Sequence, residues 1–165
     1  MKLKIRVFPY SNRHAESIAK DLFDNITINQ VRLGRKQLLA PGPDEVYSVC
    51  ALHDSRVVGV CTGVRLHWFA ERHRLEFVQV VVAEGFRRQG VARLMMSEVA
   101  NYFVKRDIEI IQVSSEGSNR NAIAAYKRLG FKEFGTLQRG LKYDDRYEDE
   151  VMMYIQIDQL LNLGA

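Results

Sequence analysis

Two cysteines, Cys50 and Cys61, are all that the 165 residues carry, and they sit in separate apolar stretches. That count excludes a disulfide framework, and the pair reads as two buried, reduced thiols. No segment approaches the ~20 consecutive apolar residues that a bilayer-spanning helix needs. The opening Met1-Lys2-Leu3-Lys4-Ile5-Arg6 has no apolar run of signal-peptide length, so the cytoplasm is the expected compartment. His14, His53, His67 and His73 form no metal-ligand spacing with a cysteine or with one another. They read as surface or loop residues, and no metal is expected. A Gly-x-Ser-x-Gly nucleophile elbow is absent, and so is the Gly-x-Gly-x-x-Gly of a dinucleotide fold. The net charge of +4 suits an anionic ligand. It is too small and too dispersed for a nucleic-acid partner, and no basic stripe interleaved with aromatics occurs. Neither nucleic acid nor membrane is expected as a partner.

The residues that are present describe one globular domain over residues 1–165. Hydrophobic residues make up 47% and charged residues 27%, enough for a core and a soluble surface. No repeat, low-complexity tract or linker divides the chain. Leu3, Ile5 and Val7 alternate with lysine and arginine in a half-buried strand that Pro9 ends. Ser11 is a plausible N-cap for a helix running to about Asn25, and a weaker helix covers Asn29 to Leu39 before Pro41-Gly42-Pro43. Val46–Leu52 and Arg56–Trp68 read as a hairpin through His53-Asp54-Ser55, followed by a strand over Arg72–Ala83. Gln89–Lys105 is an amphipathic helix with Val91, Leu94, Met95, Val99, Tyr102 and Phe103 on its buried stripe. A strand at Ile108–Val113 and a short helix at Asn121–Leu129, stopped by Gly130, come next. Phe131–Arg139 and Glu150–Ile157 are the last strands, on either side of a charged turn, Lys142–Asp149. The fold class is a mixed α/β sheet, mostly antiparallel, with one parallel crossover and helices on both faces.

The segment Val78 to Ala92 carries the clearest chemistry. A β-branched run leads through a short polar turn into Arg87-Arg88-Gln89-Gly90-Val91-Ala92 at the start of a helix. Unpaired N–H groups and the positive end of the helix dipole favour an anion there. Gly90 and Ala92 permit close backbone approach, and Arg87 and Arg88 add charge. Taken alone, the hexapeptide reads equally well as an ordinary strand-to-helix turn.

Two motifs in order resemble the GNAT superfamily of acyl-CoA-dependent N-acetyltransferases. Arg87 to Ala92 is similar to the family's Gln/Arg-x-x-Gly-x-Gly/Ala pyrophosphate loop. Asn119-Arg120-Asn121-Ala122-Ile123-Ala124-Ala125-Tyr126-Lys127-Arg128-Leu129-Gly130-Phe131 is similar to its Asn-x-x-Ala-x-x-x-Tyr-x-x-x-Gly-Phe signature. The resemblance covers about Val46 to Ile157. It implies a GNAT-like fold, acetyl-CoA as co-substrate and a primary amine, on a small molecule or on a peptide or protein, as acceptor. A homodimer is also compatible with it. Arg87, Arg88, Gln89, Gly90, Val91 and Ala92 would hold the pyrophosphate. The backbone around Val80, Val81 and Val82 would pair with the pantetheine arm, and Asn119 and Tyr126 would line it. The chain departs from the pattern at Glu84, where many members have proline, and in the longer link Ser114–Ser118. With that link, Asn121 or a serine could replace Asn119, leaving Asn119 as the helix N-cap.

The resemblance also points to two catalytic candidates. Tyr126 stands at the family's tyrosine and would donate a proton to the leaving thiolate. Glu76 matches a position where some members carry a catalytic glutamate. Alternation would put it on one strand face with Val78 and Val80. A water relay could serve in its place. Tyr147 within the acidic turn, and Trp68 with Phe69, could shape the acceptor pocket. The competing function is a CoA-binding or regulatory module that transfers nothing.

Overall fold

The computed structural model describes residues 4–23 and 26–163. Its strands are β1 (Arg6–Pro9), β2 (Val46–His53), β3 (Arg56–Arg65), β4 (Arg74–Val82), β5 (Ile110–Glu116), β6 (Lys132–Tyr143) and β7 (Arg146–Gln156). They form one seven-stranded sheet in the order β1-β2-β3-β4-β5-β7-β6. Among the described strands β4–β5 is the parallel pair, and the other neighbours are antiparallel. The crossover expected from the sequence is therefore present, made by α3 (Val91–Val104). Helices cover both faces. Ile18 of α1 (Ala15–Asp21) and Val31 of α2 (Ile28–Leu39) pack with Cys50, Val57 and Val60 on one side. On the other, α3 packs with Ile123 of α4 (Arg120–Arg128) and Leu160 of α5 (Ile157–Asn162). No described helix is long and apolar enough to cross a membrane. Cys50 and Cys61 are free and buried, as expected.

The β2–β3 hairpin turns on Asp54 and Ser55, both at positive φ (46° and 69°), which matches the right-handed twist of paired strands. On the sheet, α3 sits close because two glycines of β3 lie beneath it. A Cβ added at Gly59 would stand 2.7 Å from Met95 Cε, and one at Gly63 would stand 2.7 Å from Val99 Cγ1 and 3.0 Å from Leu75 Cδ2. Gly63→Ala is therefore expected to destabilise by about 1–3 kcal/mol, since the neighbours are fully buried aliphatic groups with little room to yield. Urea denaturation checks this, and an unchanged midpoint would contradict it.

Several expectations need correction. The first helix does not run from Ser11 to Asn25: a 3-10 turn at Asn12–His14 precedes α1, which ends at Asp21. Asn25 and Leu3 lie outside the described residues. His14 is buried, not a surface residue; its Nδ1 accepts from Ser11 N–H (3.1 Å) and lies 3.3 Å from Cys50 Sγ. Burial lowers its pKa, so it sits there neutral. Helix α3 begins at Val91, not Gln89, because Arg88 and Gly90 occupy positive φ. Leu94 is 49% exposed, and Met96 and Ala100 complete the buried stripe in its place. Tyr102 is half-buried and stacks on Tyr47 at 3.8 Å. β5 runs Ile110–Glu116, past the expected end at Val113. Strands β6 and β7 run through the expected charged turn, leaving Asp144 and Asp145 between them. Ile157 opens α5 where the last strand was expected to end on it.

Candidate active site

Strands β4 and β5 pair from Arg74↔Ile110 to Phe77↔Val113 and then part. Beyond that point β4 continues to Val82 bonded to β3, while β5 continues to Glu116 bonded to β7. One edge of residues 78–82 thus faces a gap, where no strand pairs with its backbone polar groups. The parting starts at a bulge. Gly63 opposes Phe77, yet Thr62 opposes Gln79, so Val78 is the extra residue. Val78 is 44% exposed and Gln79 is exposed too, although β4 is an interior strand.

The bulge corrects the expected faces. Leu75 and Phe77 pack with α3, and so do Val80 and Val82 beyond the bulge. Glu76 therefore lies on the opposite face from Val80, with Gln79 and Val81. That face is covered by α1 and α2 over β2 and β3. Further along the sheet Glu76 stands level with Gln112 of β5 and Tyr154 of β7. Glu116 and Glu150 pair across β5 and β7 on the same face. Burial pushes the Glu76 carboxyl above its usual pKa, and the Glu150 charge adds to this against the opposing Arg74. The Glu116 carboxylate raises the pKa of Tyr143, near the tip of the β6–β7 hairpin.

At the far end of β4 a 3-10 turn at Glu84–Phe86 leads to Arg87. The guanidinium Nε of Arg87 donates to Val82 O (3.0 Å), and Gln89 Nε2 donates to Gly85 O (2.8 Å). Gly90 is the N-cap of α3 at φ +81°, and no described side chain caps it. Leu94 N–H is bonded to Gly90 O, so the N–H groups of Val91, Ala92 and Arg93 have no partner within the helix. The first turn carries no acidic side chain, and a Cβ at Gly90 would meet open space. Open space, a left-handed glycine, unpaired donors and two exposed arginines fit a pyrophosphate.

On the other flank of the gap stands α4. Asn119 Oδ1 accepts from Ala122 N–H (3.1 Å), so this side-chain oxygen is spent on the N-cap. Tyr126 is buried, its ring 5.6 Å from that of Phe131. Burial, with a smaller contribution from the Cys61 thiol, pushes its pKa up to about 12, so the phenol stays protonated. Trp68 and Phe69 are 64% and 78% exposed, at the bend between β3 and β4. Tyr147 is also exposed, with the Arg139 guanidinium 4.0 Å above its ring.

The pattern of the chain over residues 13–131 matches the Acetyltransferase (GNAT) family. The protein belongs to this family. A 78-residue stretch is 28% identical to the [Ribosomal protein bS18]-alanine N-acetyltransferase of Escherichia coli, covering 47% of this chain and 53% of that one. The chain thus matches about half the length of that relative. Two solved structures overlay most of the chain. A spermidine N-acetyltransferase chimera from Vibrio cholerae gives a TM-score of 0.77 at 16% identity, covering 96% of this chain and 98% of its own. A Salmonella typhimurium protein described as an acetyltransferase, solved with acetyl-CoA, gives 0.72 at 15%, covering 93% and 94%. At these identities the likeness is one of fold. Sequence reasoning missed the bulge and the exposure of Gln79. The signal available was a polar residue in an otherwise apolar run, Val78-Gln79-Val80-Val81-Val82.

Proposed function

We propose that this GNAT protein transfers an acetyl group from acetyl-CoA to a primary amine by direct attack in a ternary complex. The observation that carries the reading is the gap between β4 and β5, with an anion cradle at one end and Glu76 and Tyr126 on its flanks. Acetyl-CoA supplies an acetyl group already activated as a thioester. Backbone N–H groups of Val91 and Ala92, with Arg87 and Arg88, hold its pyrophosphate; Gln89 and Gly90 shape that turn. Backbone groups of Val80, Val81 and Val82 hold its arm, with Asn119 beside it. An alkyl ammonium with pKa near ~10 cannot attack, so the acceptor must lose a proton. Glu76 takes it, and its raised pKa makes it a stronger base than an ordinary carboxylate. Tyr126 donates a proton toward the departing sulfur. The named relatives act on a ribosomal-protein alanine and on spermidine, so both an α-amine and a polyamine are candidate acceptors.

Purified protein mixed with acetyl-CoA and a pooled amine library tests this, read by free thiol release and product mass. Acetylated product supports the reading. Tight CoA binding without product across the library would turn it into a binding module.

The pH dependence follows from Glu76. It works as a base when deprotonated, so kcat falls on the acid side as it protonates, at a pH above that of an ordinary carboxylate. Glu150→Gln removes one cause of the raised pKa and is expected to move this acid limb to lower pH. Glu76→Gln is expected to abolish the limb and lower kcat by about 100-fold. A limb that survives in Glu76→Gln would assign it to another group.

A further inference from the structure

Two hydroxyls are buried in the middle of the sheet where apolar side chains would pack. Ser48 is 4% exposed and Thr62 is 0% exposed. They face each other across β2 and β3 with Oγ···Oγ1 at 2.6 Å. Thr62 in turn donates to Gln79 Oε1 across β4, at 3.2 Å. With that bond made, the Ser48 hydroxyl supplies the hydrogen of the shorter contact. The Cys61 carbonyl oxygen, 3.4 Å from Ser48 Oγ, is a second and longer acceptor for the same hydrogen, and the shorter contact continues the donor chain from Ser48 through Thr62 to Gln79. Buried hydroxyls are tolerated when fully bonded, and a connected pair fixes its partner's orientation. The amide oxygen of Gln79 is taken, so its N–H₂ group is the outward one. No other described residue accepts a hydrogen bond from it, and Gln79 is exposed on an interior strand.

The bulge places this donor beside Glu76. Both lie on the same face, on either side of Val78, within about 10 Å of strand length. An acceptor that gives a proton to Glu76 and takes a hydrogen bond from Gln79 fits between them, each bond about 2.9 Å long. Such a molecule has an amine with an oxygen acceptor close by.

We infer that Gln79 is an acceptor-contact residue, oriented by the buried Ser48–Thr62 pair, that selects amines bearing a neighbouring carbonyl oxygen, as a peptide N-terminus or amino-acid amide does, over plain alkylamines. This rests on the transfer reading above. Thr62 and Ser48 are positioning residues, acting through the Gln79 amide. Polyamines and lysine side chains have no oxygen beside the amine and gain nothing from it.

The test compares two pools at saturating acetyl-CoA: peptide amides with free α-amines, and alkyl mono- and diamines without oxygen. Gln79→Leu is expected to raise KM for the first pool about tenfold, the effect of one good hydrogen bond. KM for the second pool and the affinity for CoA should stay within twofold. Gln79→Glu keeps the shape but turns an oxygen outward, so it should lose the first pool equally and lower KM for the second. Thr62→Val should show part of the Gln79→Leu loss, and Thr62→Ser should restore it. The double variant should be no worse than Gln79→Leu alone, because Thr62 acts through Gln79. An equal loss for both pools, or an unchanged peptide KM in Gln79→Leu, would overturn the inference while leaving acetyl transfer intact. CoA binding with acetylation of neither pool would overturn the transfer reading itself.

Discussion

Gly90→Glu is expected to weaken CoA binding by at least ~100-fold while the protein stays folded. The residue caps α3 at φ +81°, and a side chain there meets open space. The fold therefore resists substitution only through backbone strain, roughly 1–2 kcal/mol for an L-residue in this region. A carboxylate at a helix N-terminus recovers part of that by interacting with the dipole, about 0.3–1 kcal/mol. The effect on the ligand has the opposite sign. The carboxylate occupies the space before the Val91, Ala92 and Arg93 N–H groups and repels phosphate charges. Each such pair at ~4 Å costs on the order of 1–4 kcal/mol between bulk-water and protein-surface dielectrics. Two phosphates together cost about 2–8 kcal/mol, and a 100-fold loss, about 2.7 kcal/mol, lies near the low end of that range. Gly90→Ala carries the strain without the charge and should weaken CoA binding by no more than several-fold. Calorimetric titration of CoA into the three proteins separates the two causes. A Gly90→Glu protein that binds CoA within threefold of the parent would remove the cradle from this turn.

The contrast between legible and illegible parts has a physical basis. The helix α3 was readable because its buried positions recur with the helical period and sit on a large core. Its starting residue was not, since the break lies in the φ values of Arg88 and Gly90, and arginine gives no sign of a left-handed conformation. The distal half of the β6–β7 hairpin looked like a charged loop. Its cross-strand contacts are cations over rings, Arg139 on Tyr147 at 4.0 Å and Arg146 on Tyr143 at 5.0 Å. Those pairs replace the hydrophobic alternation by which a strand is recognised. The bulge at Val78 was hidden for a related reason. It sits against a run of valines, where a one-residue slip leaves no trace in the pattern, and yet it moves Glu76 to the other face from Val80. The turn from Arg87 to Ala92 is legible as a candidate anion site because its chemistry is local. The gap between β4 and β5 follows from the family resemblance alone and not from the residues, because it consists of hydrogen bonds that are not made.

Tyr126→Phe is expected to lower kcat by about 100-fold with acceptor KM and CoA affinity within a factor of two or three. The ring is 9% exposed and packs beside Phe131, and phenylalanine keeps that packing. No hydrogen bond joins the hydroxyl to a described residue, so its loss leaves no donor or acceptor stranded, and thermal unfolding should be nearly unchanged. On the proposed mechanism, what disappears is a proton donor beside the departing sulfur. Such a donor contributes typically 10²–10⁴-fold. The lower end applies here, because a thiolate of pKa near ~8.5 is already a fair leaving group. The raised pKa adds a second, independent consequence. With the phenol protonated to about 12, the parent should show no loss of kcat from this group on the alkaline side up to about pH 10. An ordinary exposed tyrosine, half ionised near ~10, would already be failing there. A kcat that survives Tyr126→Phe would leave the phenol as a packing residue and hand protonation of the sulfur to solvent.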